Sequence, residues 1–354
     1  MKWAAATILI VIFMLCGMSA RSIPGQTLAD QDDVIRVETD LTNLFFTATD
    51  KNGHYITNLR EEDLRVTEDG IPQTVLTFQR ETDRPLSIAF LIDVSASEER
   101  TLPQEKAAAR AFIETVIQSS KDQAAIIPFT GSAFLEQDLT RDILSIYRAL
   151  ERVEVAMPAY LGSGRPISGI PTGPGMRAIP REGTTAIWDA VAVTASEVLS
   201  PNRDLRNRTR RDQAEAVQNQ RRRAIILLTD GQDTTSRLLR SEATHRALAA
   251  ETVIYAIGIG DSGREGVDKD ALKAVAASTG GRAFFPKREL DLKNAFTEIE
   301  RELRSQYLIA YSSTNKARDG RYREMRVEIT NPVLQKEKLK LRHRPGYLAT
   351  PLSK

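Results

Sequence analysis

Residues 86–97 read LSIAFLIDVSAS, and this stretch decides the fold. Leu86 to Ile92 is an apolar run that shows no polar alternation and closes on Asp93. A short run of this kind reads as a strand buried on both faces, which is the habit of parallel sheets. Moving outward, similar runs recur as QAAIIPF (123–129), AIILLT (224–229) and VIYAIGI (253–259), with a shorter one at 282–285. Helical spacing fills the intervals. Leu102–Ser119 is alanine-rich, with Phe112, Val116 and Ile117 on one stripe, and 186–199, 236–250, 268–278 and 290–304 follow suit. Strands alternating with helices predict βαβ units. The expected fold class is α/β, a doubly wound, mostly parallel Rossmann-like sheet over residues 83–305 with helices on both faces.

The outer segments read differently. Residues 34–82 and 306–354 are β-rich. Turn signals fall at Asp50–Gly53, Glu68–Gly70 and Asp319-Gly320. The two segments are expected to pair into one flanking, sandwich-like β module, with the α/β domain inserted between them. Two stretches break the rhythm. Residues 154–183 hold six Gly and five Pro and read as a long irregular loop. Residues 201–223 hold eight Arg against three acidic residues. That run reads as a solvated helix face or loop, with a docking strip for an acidic partner as the alternative.

Composition narrows the function classes. The chain has 354 residues, 41% hydrophobic and 27% charged, enough for about two packed domains. Lys plus Arg number 49 against 47 acidic residues, which removes any whole-chain case for nucleic-acid binding. A single Cys excludes an intrachain disulfide framework and multi-cysteine metal sites. The three histidines, His54, His245 and His343, lack metal-ligand spacing.

Residues 1–25 have the layout of a secretory signal. Lys2 precedes the apolar run Ala4–Leu15, and small residues Gly17, Ser19 and Ala20 follow. An uncleaved anchor is the alternative, because Trp3–Ala20 carries no charge and is long enough to span a bilayer. A lipid attached at Cys16 fits poorly after the large Leu15. Either way the expected location is outside the cytoplasm, periplasmic or extracellular at the cell surface.

The chemistry concentrates at strand ends. Asp93-Val-Ser95-Ala-Ser97 follows the first parallel strand, where open α/β sheets bind ligands. Gly183-Thr-Thr185-Ala-Ile-Trp-Asp189 opens a helix, and Thr229-Asp230-Gly231 ends another strand. Together these fragments resemble the von Willebrand factor type A domain and its metal-ion-dependent adhesion site. Asp93, Ser95 and Ser97 match the first motif, Thr185 (or Thr184) the second, and Asp230 the third. The flanks DKNGHYITNLREEDLRVTEDGIPQ and QYLIAYSSTNKARDGRYREMRV…RPGY also resemble secreted bacterial proteins of this class, Acidobacteria-type.

Three hydroxyls and two carboxylates offer only oxygen, which suits a hard cation, Mg²⁺ or else Mn²⁺ or Ca²⁺. The resemblance implies that the hydroxyls bind directly and the two Asp act largely through water. A cation so held is under-neutralised and attracts a carboxylate from a protein partner. The resulting expectation is an exported, non-enzymatic, adhesion-type module. A structural envelope scaffold with a vestigial cation site is the alternative. No nucleic acid is expected as partner, and a membrane only through an uncleaved N-terminal segment. Glu98 and Glu99 either add negative charge to the site or begin the next helix. Asp233 is expected to cap the following helix.

Two further patterns are set aside. Gly258-Ile-Gly260-Asp-Ser-Gly263 fits a dinucleotide loop, but it follows a late strand and no carboxylate closes the next one. The embedded Gly260-Asp-Ser-Gly263 has no His placed for a triad.

Overall fold

A computed structural model describes residues 41–81, 84–155, 165–167, 184–200, 221–230, 232–259 and 267–349. The signal segment, residues 34–40 of the first β-rich segment, most of 154–183 and most of the arginine run lie outside the described residues.

The first four strands are β1 (Leu41–Thr49), β2 (Leu64–Glu68), β3 (Ile71–Pro72) and β4 (Val75–Glu81). The α/β part then begins with β5 (Leu86–Asp93), α1 (Leu102–Val116), β6 (Gln123–Phe129), β7 (Phe134–Leu135), β8 (Gln137–Thr140) and α2 (Ile143–Arg152). It continues through β9 (Arg165–Pro166), α3 (Ile187–Val193), β10 (Arg222–Thr229), α4 (Arg240–Ala249) and β11 (Thr252–Gly258). It closes with α5 (Lys269–Ser278), β12 (Ala283–Phe284) and α6 (Glu289–Arg304). The chain returns to β structure in β13 (Gln306–Ser312), β14 (Tyr322–Ile329), β15 (Lys340–His343) and β16 (Gly346–Leu348).

The central sheet has six strands in the order β12-β11-β10-β5-β6-β8, parallel except for β8. The unbroken apolar runs have a direct cause. Ile88, Phe90 and Ile92 pack on one face with Phe112 and Ile113 of α1 and Phe296 of α6. Ala89 and Leu91 pack on the other with Ile187 and Val191 of α3, Ala247 of α4 and Leu272 of α5. Both faces are dry, so both parities of the strand must be apolar. The doubly wound, mostly parallel α/β sheet expected for this region is the one observed.

The antiparallel edge strand β8 and helix α2 went unread in the sequence. The QDLT residues of β8 are all only partly buried, so no apolar run marks them. The helix expected over 186–199 is α-helical only to Val193 and ends in a π turn, Thr194–Val198.

The end of the arginine run also needs correction. Arg222 and Arg223 are neither solvated nor a docking strip; they open β10 and are buried. Arg222 donates to the Leu303 carbonyl and lies over the Phe45 ring, 5.7 Å from its centroid. Arg221 donates to Ser87 Oγ at 2.9 Å and to the Leu86 carbonyl at 3.0 Å.

Strands from the two outer segments pair with one another. One four-stranded antiparallel sheet has the order β15-β1-β13-β4, and the other β16-β14-β2-β3. Leu41 faces Ser312 and Phe46 faces Tyr307 across β1 and β13, and Met325 faces Glu68 across β14 and β2. Leu44, Phe46 and Ile309 from the first sheet share a core with Val66, Met325 and Val327 from the second. Strand β14 buries alternate residues, as a strand with one wet face does. No helix among the described residues is long and apolar enough to cross a membrane.

Candidate metal centre

Strand β5 lies between β6 and β10 in the parallel sheet, and its neighbours are reached by connections running in opposite directions. That makes the carboxyl end of β5 a switch point where the loops part and leave a crevice. Asp93 is the last residue of β5 and is fully buried. Its Oδ1 accepts the Ser95 N–H at 3.0 Å and its Oδ2 accepts the Thr229 hydroxyl at 2.7 Å. The carboxylate is therefore oriented by its own loop and by the adjoining strand. Ser95 Oγ and Ser97 Oγ lie 3.0 Å apart. Asp230 directly follows β10, and its Oδ1 accepts the Gln232 N–H at 3.1 Å.

Thr185 reaches the same edge of the sheet through its backbone. Its N–H donates to Thr234 Oγ1 at 2.8 Å, and its carbonyl accepts the Thr234 and Thr235 N–H groups at 2.8 and 3.1 Å. The next residue, Ala186, donates to the Thr130 carbonyl at 2.8 Å. Thr185 thus sits between the loop that follows β6 and the loop that follows β10.

Asp233 caps a helix, but not the one that follows it. Its Oδ1 accepts the Ile187 N–H at 2.8 Å, at the start of α3. Ser236 Oγ accepts the Trp188 N–H at 2.9 Å, and Asp189 Oδ1 accepts the Arg237 and Leu238 N–H groups at 3.0 and 2.9 Å. Helix α3 and the loop after Asp230 cap each other. Forty-odd residues of separation hid this from a local reading of capping, which looks only a turn ahead.

Of the two roles open to Glu98, added charge at the site or the start of a helix, the structure favours the first. One carboxylate oxygen from each of Asp93, Glu98 and Asp230 lies within 4.8 Å of the others. Among the described residues, no other set of Asp, Glu, His or Cys has this spacing. Glu98 ends a short 3₁₀ turn (Ala96–Glu98), three residues before the cap of α1, so it does not begin that helix. It is 1% exposed. Behind it, Glu105 in the first turn of α1 is also 1% exposed. Thr101 Oγ1 donates to Glu98 Oε2, while Glu98 Oε1 and both Glu105 carboxylate oxygens have no hydrogen-bond donor. One signal pointed to Glu105. It shares the stripe Leu102, Ala109, Phe112, Val116, and an acid on an apolar stripe has a reason to be buried.

The electrostatics suit a bound cation. Burial, then repulsion from Glu98, pushes Asp93 up to about 7, even though Thr229 and Ser95 hydrogen-bond its charged form. Burial, then the facing Glu105, drives Glu98 well above the usual carboxylate range, and burial raises Glu105 too. The principal influences on these three carboxyls come from one another, Asp230, serine and threonine, with no lysine or arginine among them. Buried carboxylates persist when a cation or a proton compensates them. The donors present are all oxygen, which suits a divalent cation.

The glycine pattern after β11 has a packing explanation at its first member. A Cβ on Gly258 would lie 2.8 Å from both the Phe285 ring and Val267 Cγ1. Residues 260–266 lie outside the described residues.

Residues 177–298 match the family model of the von Willebrand factor type A domain. This span includes Thr185 and Asp230; Asp93, Ser95 and Ser97 precede it. No curated protein matches the chain significantly. Solved structures of similar shape include proximal thread matrix protein 1 from the mussel byssus, at 19% identity and a TM-score of 0.46, covering 67% of this chain and 51% of that one. This chain thus spans about half the length of the mussel protein. BatB from Bacteroides thetaiotaomicron is 19% identical, with a TM-score of 0.42 over 62% of this chain and 100% of that one. A von Willebrand factor type A protein from Catenulispora acidiphila is 13% identical, with a TM-score of 0.44 over 86% of this chain and 72% of that one.

Proposed function

We propose that this chain is an exported, non-enzymatic binding protein whose α/β domain, residues 83–305, grips a protein partner through a divalent cation. Asp93, Ser95, Ser97, Thr185 and Asp230 hold the ion, and the partner completes its shell with a carboxylate. The observation that carries this reading is the convergence of Asp93, Glu98 and Asp230 oxygens within 4.8 Å at the carboxyl end of the parallel sheet. A cation supplies Lewis acidity there and an electrostatic anchor for an acidic side chain. The protein's share is to aim oxygens from three separate loops at one point and to hold them against the scaffold. The β strands on either side of the α/β domain make one flanking module that carries it.

The test is capture from an envelope extract with Mg²⁺, Mn²⁺ or Ca²⁺ against EDTA, alongside calorimetric titration with each ion. Wild type is expected to capture a partner only with a cation, and Asp93→Ala to lose both capture and ion uptake while remaining folded. EDTA-sensitive capture that survives in Asp93→Ala would defeat the assignment. Absence of ion uptake by wild type near neutral pH favours a structural scaffold with a vestigial site.

A further inference from the structure

We infer that Glu98 is a third carboxylate of the cation site, and that it turns the site's preference from Mg²⁺ towards Ca²⁺. The inference rests on the cation-site reading above and adds a residue and a selectivity to it. Two independent observations carry it. A Glu98 carboxylate oxygen lies within 4.8 Å of oxygens from both Asp93 and Asp230, in the one such cluster among the described residues. Separately, Glu98 is 1% exposed, and its Oε1 is buried with no hydrogen-bond donor. An unsatisfied buried carboxylate oxygen costs more than an ordinary missing hydrogen bond, so its position calls for a cation or for a proton shared with Glu105. Glu98 is also held in place. Thr101 Oγ1 donates to its other oxygen, and its N–H donates to the Ser95 carbonyl at 3.0 Å. Glu105 faces it with a second buried carboxyl.

The selectivity follows from ligand arithmetic. Mg²⁺ takes about six oxygens, prefers to keep several waters and uses one or two carboxylates, whereas Ca²⁺ takes about six to eight at about 2.3–2.6 Å and tolerates many carboxylates. Asp93, Ser95, Ser97, Thr185 and Asp230 with Glu98 offer a full set of side-chain oxygens for a six-coordinate ion. Mg²⁺ bound by all of them keeps no vacancy for a partner. Ca²⁺ does, and three carboxylates whose oxygens lie within 4.8 Å of each other are within reach of one ion of its size.

The experiment is calorimetric titration of the full chain with Ca²⁺ and with Mg²⁺, for wild type, Glu98→Gln, Glu98→Asp and Asp93→Asn. Thermal unfolding of each in EDTA is the second readout. Wild type is expected to bind Ca²⁺ at least roughly tenfold tighter than Mg²⁺. Glu98→Gln should lose roughly 10- to 100-fold in Ca²⁺ affinity and much of the preference. In EDTA it should unfold at a higher temperature than wild type, because the amide replaces a buried acid whose burial is costly beside Glu105. Glu98→Asp keeps the charge and should retain part of the Ca²⁺ affinity, and it serves as the probe if Glu98→Gln does not fold. Glu98→Gln binding Ca²⁺ like wild type, with Asp93→Asn inactive, overturns this inference and leaves the cation site standing. Mg²⁺ preferred by wild type also overturns it. No uptake of either ion by wild type overturns both readings.

Discussion

The Thr229 hydroxyl donates to Asp93 Oδ2 at 2.7 Å, so the last residue of one parallel strand orients the carboxylate at the end of its neighbour. Both residues are fully buried. The bond joins β10 to β5 at the point where the loops carrying Asp230 and Ser95 diverge, and it makes the strand pairing part of the site's geometry.

Replacing this hydroxyl tests that dependence. Thr229→Val keeps the shape and removes the donor, leaving a buried carboxylate oxygen unsatisfied. A loss of about 1–3 kcal/mol in stability is expected at neutral pH in chelator. Cation affinity should fall roughly 10- to 100-fold, as for a residue that orients a ligand. Urea unfolding and calorimetry measure the two effects, and unchanged affinity would show that Asp93 needs no help from β10.

The seam between the α/β part and the outer strands has its own weak point. Gly280 adopts φ +87°, and a Cβ there would lie 2.8 Å from the Arg344 backbone nitrogen. Gly280→Ala should therefore destabilise the chain by about 1–3 kcal/mol, from left-handed backbone strain and a clash with main chain that cannot swing away. A melting temperature equal to wild type would mean that the segment around Arg344 yields more easily than its packing implies.

Glu302 provides a pH-dependent term distant from the cation site. It is 1% exposed on α6, and burial pushes its carboxyl up to about 6, against the pull of Arg342 and Arg282. A carboxyl raised on folding contributes its stability fully below its unfolded value near 4.5 and loses it as pH rises through about 6. Glu302→Gln should thus be more stable than wild type by up to about 2 kcal/mol at pH 8, with the advantage vanishing below pH of about 4.5. Denaturant melts at several pH values check this, and a variant less stable at pH 8 would show that the Arg282 and Arg342 attractions outweigh the cost of burial.

Much of the α/β architecture was legible because burial on both faces imposes a local rule. LSIAFLID and AIILLT cannot alternate and remain dry, so each run declares its strand without reference to the rest of the chain. The edge strand β8 escaped because an edge position relaxes that demand and lets Gln137 and Asp138 in. Asp93, Ser95 and Ser97 were legible as a motif, since one turn of chain holds them together. The part played by Asp233 was not, because the N–H groups it accepts belong to a helix that begins at residue 187.

What the sequence by itself determined is the set of pieces: apolar strands ending in Asp93 and Thr229, a serine pair one turn on, and β-rich segments at either end. These follow from burial and backbone preference, which act over a few residues. Only the tertiary structure decided that Glu98 joins Asp93 and Asp230, that Glu105 stands behind it, and that β1 pairs with β13 across most of the chain. Charge repulsion and strand pairing depend on distances in space. Along the chain Glu98 is open to two readings, added charge or a helix start, and the choice between them appears when the switch of strand order beside β5 brings Asp230 to meet it.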